Sequence, residues 1–492
     1  GLHRMVIDAE AVPMLADVVA GELDRAGRAK DGAADGPVVL LTDAVPIMRG
    51  GEDLKALVHD LLAARFPVET VVLSGAHATL HVDDEAMDAA AAAVRGAACV
   101  VSVGGGTISD IAKVAVARAG AASGSGGGSG GGSAGEAAGE AGDAAAVGAR
   151  GGALPLVVVQ TAASVDGYSD DVSVVLRGGV KRTIPSRWPS AVVADVTTIT
   201  QAPDRLTAAG VGEVMSLFCA PADWYLASVV GLDDTFHPVS RTLFTGYDRG
   251  LAQWSAAVGR HEPEAVERLI RTLAVRGILG GVTGTTACLS GVEHVVSHLL
   301  DMFHDAHGLP TGLHGAQVGV GSVVSVAAWQ HLLRVFDPKD VQLDSLFPDP
   351  ATRRDTVLAA FADLDPSGAR GAECWSDYEA KLTRWAAARP AVEAVFRDWD
   401  RHRAVVEEVL VDPATLVAAL EAAGAPARFA DLDPAVDDAT ARWAVGHCHL
   451  MRNRFTVVDL LDLLGRWTDD DRAAVLAAAD PSATDPSAGG TP

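Results

Sequence analysis

Four short apolar runs dominate the first 160 residues: Val38–Asp43 (VVLLTD), Thr70–Ser74 (TVVLS), Cys99–Val103 (CVVSV) and Leu156–Gln160 (LVVVQ). Between them lie stretches with helical spacing of apolar residues, such as Leu54–Ala64 and Ala86–Val94. A strand that is apolar at every position must bury both of its faces. Strands of that kind, separated by helices, specify a parallel sheet with helices packed on both sides. An open α/β domain is therefore predicted over residues 1–200. From Ala202 the strand pattern stops. Helical text follows, including Arg205–Val229, Glu262–Gly277, Gly291–Phe303 and Gly315–Phe336, so residues 201–480 are predicted to form an all-α domain.

Residues 121–150 contain 11 Gly and 10 Ala, and Ser123–Ser133 reads SGSGGGSGGGS. Such a composition cannot bury a core, so residues 120–152 are expected to be a flexible insertion in the α/β domain. The tail, residues 481–492, is rich in Ser, Pro, Ala and Gly and is expected to be disordered. The formal net charge is −25, which argues against a duplex nucleic-acid binder. Five widely spaced cysteines make no CxxC pair and no disulfide framework, as suits a reducing cytoplasm. No uninterrupted apolar run reaches the length of a membrane span, and no export signal is visible at the N-terminus.

Four groups of residues carry chemistry. Gly104-Gly105-Gly106-Thr107 joins an apolar run to a helix that bears Asp110 and Lys113. Glycines there let a backbone approach a pyrophosphate, and the helix N-terminus offers free N–H groups; an ordinary tight turn would use the same residues. Five histidines, His294, His298, His304, His307 and His314, fall within 21 residues, where 15 in 492 would place fewer than one. His294 and His298 share a helix face, and His314 precedes the next helix. Imidazoles from adjacent elements suit a divalent metal. His304 and His307 read as solvated loop residues. Glu213 follows Gly210-Val211-Gly212 in what reads as a helix start, and beside two such histidines it is the natural third ligand. Thr161 and Ser164, with Asp166-Gly167-Tyr168 behind them, follow a strand, where hydroxyls face the ligand crevice of an open sheet. Lys181-Arg182 reads as the charged part of a hairpin, with Lys181 a possible phosphate contact.

The strings VVSVGGGTISDIAK, VVVQTAASVDGY, VVADVTTITQAPDRLTAAGVGE, SGVEHVVSH and LHGAQVGVG occur in that order. The chain resembles the sn-glycerol-1-phosphate dehydrogenases, within the superfamily of iron-containing alcohol dehydrogenases, glycerol dehydrogenases and dehydroquinate synthases. The resemblance implies a dehydroquinate synthase-like fold: a Rossmann-like domain for NAD or NADP and a helical domain for one divalent metal (zinc, nickel or iron), with substrate in the cleft between them. It implies cofactor contacts at Asp43, Gly104, Gly105, Gly106, Thr107, Asp110, Lys113, Thr161, Ser164 and Asp170. It implies metal ligation by Glu213, His294 and His314, and substrate or catalytic contacts at Asp166 and His298, with Lys181 and Glu213 also on the substrate side.

Three departures stand out. The family's metal acid is usually Asp; here it is Glu213, as in the dehydroquinate synthase branch. Asp170 stands where the family usually has Ser, and an added carboxylate would repel a phosphate unless it turns away. The segment TGTTACLSG lacks the Arg-Pro form of the bacterial branch. The expected activity is metal-dependent interconversion of dihydroxyacetone phosphate and sn-glycerol 1-phosphate, or of a related polyol. The alternatives are a cyclase like dehydroquinate synthase and a metal-dead NAD-binding protein. For the cyclase, Arg241 and Arg249 stand where a Lys-Asn pair is expected. Expected partners are a small polyol or triose-phosphate substrate, no nucleic acid, no membrane span, and further copies of the chain in a homodimer or larger assembly.

Overall fold

The computed structural model describes residues 1–30, 33–75, 80–124, 153–177 and 180–480. Most of the Gly/Ala-rich insertion and the Ser/Pro tail lie outside the described residues. The chain divides into two compact units. The first comprises Gly1–Thr161, Gly167–Val175 and Thr183–Thr198; the second comprises Ala162–Asp166, Leu176–Arg182 and the chain from Ile199 on.

The first unit is built on six strands: β1 (Arg4–Asp8), β2 (Val38–Asp43), β3 (Val68–Leu73), β4 (Cys99–Gly104), β5 (Leu156–Gln160) and β6 (Ala191–Asp195). They lie side by side in the order β1-β6-β5-β4-β2-β3, and every neighbouring pair is parallel. Val38, Leu40, Val101, Val103, Val157 and Val159 face one core with the helices Leu15–Arg25 and Leu54–Ala63. The alternate residues Val39, Leu41, Val100 and Val158 are equally buried on the other face. Burial on both sides is why these strands are apolar at every position. The chain runs from β2 outward to β3, then crosses back to β4 on the other side of β2. That reversal is the place where open α/β sheets bind ligands, beyond the carboxyl ends of the strands. Asp43 ends β2 there, and Gly104 ends β4, paired in register with Gln160 of β5. Helix α1 (Gly106–Gly124) starts directly after β4 and carries the first residues of the predicted insertion as helix.

Two strands escape the sequence pattern. RMVID in β1 is short, half-polar and at the sheet edge, and AVVAD in β6 is five residues long. The predicted hairpin is present as strands Val172–Arg177 and Val180–Pro185 in a separate two-stranded sheet.

The second unit is helical around its centre: α2 (Asp204–Val214), α3 (Pro263–Thr283), α4 (Val292–Ala306) and α5 (His314–Val335). The predicted single helix Arg205–Val229 is broken into α2, a tight turn at Met215–Phe218 and a second helix, Ala220–Val229. Glycines let these helices touch through their backbones. A Cβ on Gly212 would lie 2.2 Å from the Gly315 oxygen, and one on Gly315 would lie 2.2 Å from the Ala209 oxygen. A Cβ on Gly321 would lie 2.7 Å from the Glu293 oxygen. The glycines of GVGE and LHGAQVGVG therefore lock α2 against α5 and α5 against α4. Helix α5 is long and apolar enough to cross a membrane by length and composition, but 78% of that stretch is buried inside the protein. All five cysteines are buried thiols.

Candidate functional site

Three side chains converge in the second unit. Glu213 lies in the last turn of α2, not at a helix start, and is fully buried. His294 lies in the first turn of α4, and His314 is the first residue of α5. One ligand atom from each lies within 4.8 Å of the others. His294 Nε2 is 3.4 Å from Glu213 Oε1, and His314 Nε2 is 3.8 Å from Glu213 Oε2. His314 keeps 27% of its side chain exposed, so the group opens to solvent on that side.

The hydrogen-bond network assigns the protons. His294 Nδ1 lies 3.0 Å from Glu293 Oε1, and a carboxylate only accepts, so Nδ1 carries the hydrogen. Gln317 Nε2 donates to Asp301 (3.1 Å), so its Oε1 accepts from Ser297 Oγ (2.7 Å). The Ser297 oxygen then accepts from His314 Nδ1 at 3.0 Å. Each imidazole therefore turns the lone pair of Nε2 toward Glu213. Glu213 Oε2 is buried with no hydrogen-bond donor among the described residues. Two nitrogen lone pairs and a carboxylate aimed at one another need a cation between them. Without a metal, a second proton on His294 serves as that cation. Burial opposes charge at His294, but Glu213 and Glu293 outweigh it and raise its pKa to about 9. Burial also opposes charge at Glu213, but His294, His314 and Arg276 outweigh it and hold it down at about 2. Glu213, His294 and His314 thus fit a divalent metal of the imidazole-plus-carboxylate class.

His298 follows His294 by one helical turn and is buried, its ring stacked on His314 with centroids 5.8 Å apart. Asp166 reaches the same region, held by Arg276, whose Nε and Nη2 lie 3.3 and 3.2 Å from Asp166 Oδ2. Burial raises the Asp166 pKa and Glu213 adds to the rise, against the pull of Arg276. Arg276 itself is fully buried, donating to Glu213 Oε1 (2.9 Å) and Ser216 Oγ (2.7 Å). It was not singled out by the sequence; an arginine among apolar and glycine positions in LAVRGILGG was the available signal. Glu293 was missed in the same way, although it directly precedes His294.

Two expectations are corrected. His304 is a buried residue inside α4, where burial lowers its pKa, rather than a solvated loop residue. The Glu213 helix start is a helix end. His307 is exposed, at the end of α4.

The remaining residues belong to the first unit or its margins. Gly105, Gly106 and Thr107 sit half-buried where β4 turns into α1. Asp43 accepts from Lys55 Nζ at 2.7 Å. Lys113 is fully buried and points inward: it pairs with Asp110 (2.9 Å) and Asp170 and donates to the backbone oxygens of Gly167 (2.8 Å) and Val172. Asp170 is thereby paired with a buried cation, which offsets the repulsion its charge would exert on a phosphate. Thr161 is buried at the end of β5, and Ser164 is half-buried on the second unit's side of the division. Lys181 lies in the strand Val180–Pro185, with its side chain outside the described residues.

The sequence profile of the iron-containing alcohol dehydrogenase family matches residues 134–203. The glycerol-1-phosphate dehydrogenase [NAD(P)+] of Pyrococcus furiosus is 30% identical over 232 residues, covering 46% of this chain and 54% of the relative. That of Natronomonas pharaonis is 32% identical over 177 residues, covering 34% and 47%. The chain spans about half the length of the curated relatives it matches. Among solved structures, a probable glycerol dehydrogenase from Sinorhizobium meliloti superposes with a TM-score of 0.52 at 16% identity, over 98% of both chains. A 1,3-propanediol oxidoreductase gives the same values. At that identity these two matches establish the fold alone.

Proposed function

We propose that this chain, which is similar in sequence to the glycerol-1-phosphate dehydrogenases and matches the iron-containing alcohol dehydrogenase family over residues 134–203, is a member of that superfamily and an NAD(P)-dependent oxidoreductase. It would interconvert dihydroxyacetone phosphate and sn-glycerol 1-phosphate, or a closely related polyol. The carrying observation is the cluster of mutually facing acceptors, Glu213, His294 and His314, whose protons are assigned away from one another. A divalent cation held there would polarise a substrate carbonyl while a bound nicotinamide carried the hydride.

The chain's own residues supply the rest. Glu293 and Ser297 fix the tautomers of His294 and His314, so that Nε2 of each is the ligating atom. Three protein ligands leave a coordination position open for substrate. Asp166, steadied by Arg276, offers a carboxylate for a substrate hydroxyl. His298, stacked on His314, would pass a proton to the substrate oxygen. In the first unit, the turn at Gly104, Gly105 and Gly106 and the start of α1 present backbone N–H groups to a diphosphate, with Asp43 on the adjacent strand for a ribose.

The test is cofactor oxidation. Protein stripped with a chelator and reloaded separately with zinc, nickel and iron(II) is mixed with NADH or NADPH and dihydroxyacetone phosphate, with dihydroxyacetone in parallel. The proposal expects metal-dependent oxidation that requires the phosphate and is lost in Glu213→Ala. Turnover of the unphosphorylated ketone alone would move the assignment to a polyol dehydrogenase. No oxidation with any metal would refute it.

A further inference from the structure

The second unit contains a buried charge that touches both the metal-type acid and the substrate-type acid. Arg276 projects from α3 with none of its side chain exposed, and such a charge persists only when paired. Its partners are Glu213 Oε1, Asp166 Oδ2 and Ser216 Oγ, and the same nitrogen, Nη2, lies 2.9 Å from Glu213 and 3.2 Å from Asp166. Ser216 Oγ in turn donates to the Glu213 backbone oxygen at 3.1 Å, which closes a ring around the end of α2. One guanidinium therefore joins the metal-type acid to the substrate-type acid.

This arrangement bears on coordination. With Arg276 on Oε1, Oε2, which accepts no hydrogen bond among the described residues, is the Glu213 oxygen most available to a cation. With Arg276 on Oδ2, Asp166 is drawn toward the guanidinium. Two carboxylates beside two imidazoles would otherwise make a four-ligand set, the composition of a closed structural site. We propose that Arg276 is a positioning residue that holds Asp166 off the metal and restricts Glu213 to one oxygen, so that one coordination position stays open for substrate. The inference rests on the metal reading of Glu213, His294 and His314 given above.

The test uses the full-length chain, stripped of metal and titrated with cobalt(II), whose visible absorption reports coordination number. Dihydroxyacetone phosphate is then added to the cobalt form. In the natural protein the spectrum should change on addition, as substrate enters the open position. Arg276→Met should bind cobalt at least tenfold more tightly and lose that spectral response, because Asp166 becomes a fourth ligand. Adding Asp166→Asn to Arg276→Met should restore the response, which a general loss of structure would not do. Asp166→Asn alone should leave cobalt affinity within threefold of the natural value, and this readout stands even if Arg276→Met does not fold. A tenfold loss of affinity in Asp166→Asn, or an unchanged affinity and spectral response in Arg276→Met, would overturn the inference. A natural protein that binds no cobalt would instead refute the metal reading beneath it.

Discussion

Gly212→Ala adds one methyl group, changes no charge and removes no ligand, yet it should disable the proposed metal site. Its Cβ would lie 2.2 Å from the Gly315 oxygen, where ordinary contact begins at 3.4 Å. Nor can this clash be relieved by a side-chain rotation, because the obstructing atom is backbone. Helices α2 and α5 must part by about 1.2 Å along that direction. Glu213 is the next residue on α2, and His314 precedes Gly315 on α5, so the separation falls directly on two ligands. Metal–ligand distances tolerate about 0.2 Å, several times less than the shift. Overpacking of this kind costs roughly 1–3 kcal/mol or more. The expected outcome is a loss of about 3 kcal/mol in urea denaturation and at least a tenfold loss of zinc affinity by calorimetry. Gly284→Ala is the control. It has φ +69° with nothing within 4 Å, so it should cost about 1 kcal/mol of backbone strain and leave zinc affinity unchanged. Natural zinc affinity in Gly212→Ala would refute the reasoning that helix contact sets the site.

Lys113→Met should destabilise the protein by about 3–5 kcal/mol, because it strands Asp110 and Asp170 without their shared cation; natural stability in urea would show that this knot is not structural. Ser297→Ala removes the acceptor that orients His314 and should weaken zinc binding about tenfold with little loss of stability, read by calorimetry and thermal melting. Burial, reinforced by Glu293, raises Asp223 to about 8 from an ordinary 3.8. The folded chain then keeps a proton between pH 3.8 and 8 that the unfolded chain releases, so this group's contribution to stability falls as pH rises across that window. Asp223→Asn should flatten that slope in denaturation at stepped pH, and an unchanged slope would refute the assignment.

Much of this was legible in the sequence because burial leaves a pattern. Strands enclosed on both faces read as unbroken apolar runs, and β2, β4 and β5 announced themselves in that way; β3 also carried an apolar run, although it lies at the sheet edge and is largely exposed. Edge strand β1 did not, since an edge needs fewer apolar residues. The spacing of His294, His298 and His314 gave the histidine cluster, but no periodicity tells whether a histidine near a helix end is inside it, and His304 was misplaced for that reason. Helical pattern also runs straight through Met215–Phe218, where the tight turn ends α2 just beyond Glu213. Arg276 and Glu293 were invisible for a different reason. Arg276 is one of several charged residues on its helix, and only tertiary packing gives it Asp166 as a partner; Glu293 reads as an ordinary first-turn acid beside the helix dipole. Asp170 reads from sequence as an acid close to a phosphate loop; only the fold shows it spent on Lys113.

The central claim is that Glu213, His294 and His314 hold one divalent cation. Anomalous scattering from a crystal of the zinc-loaded protein, collected on both sides of the zinc absorption edge, tests it most directly. The account predicts one strong peak about 2.0–2.2 Å from a Glu213 carboxylate oxygen and from Nε2 of both histidines. It also predicts that the peak lies clear of Asp166. A peak held by other residues, or no peak at this site in zinc-saturated crystals, would contradict it.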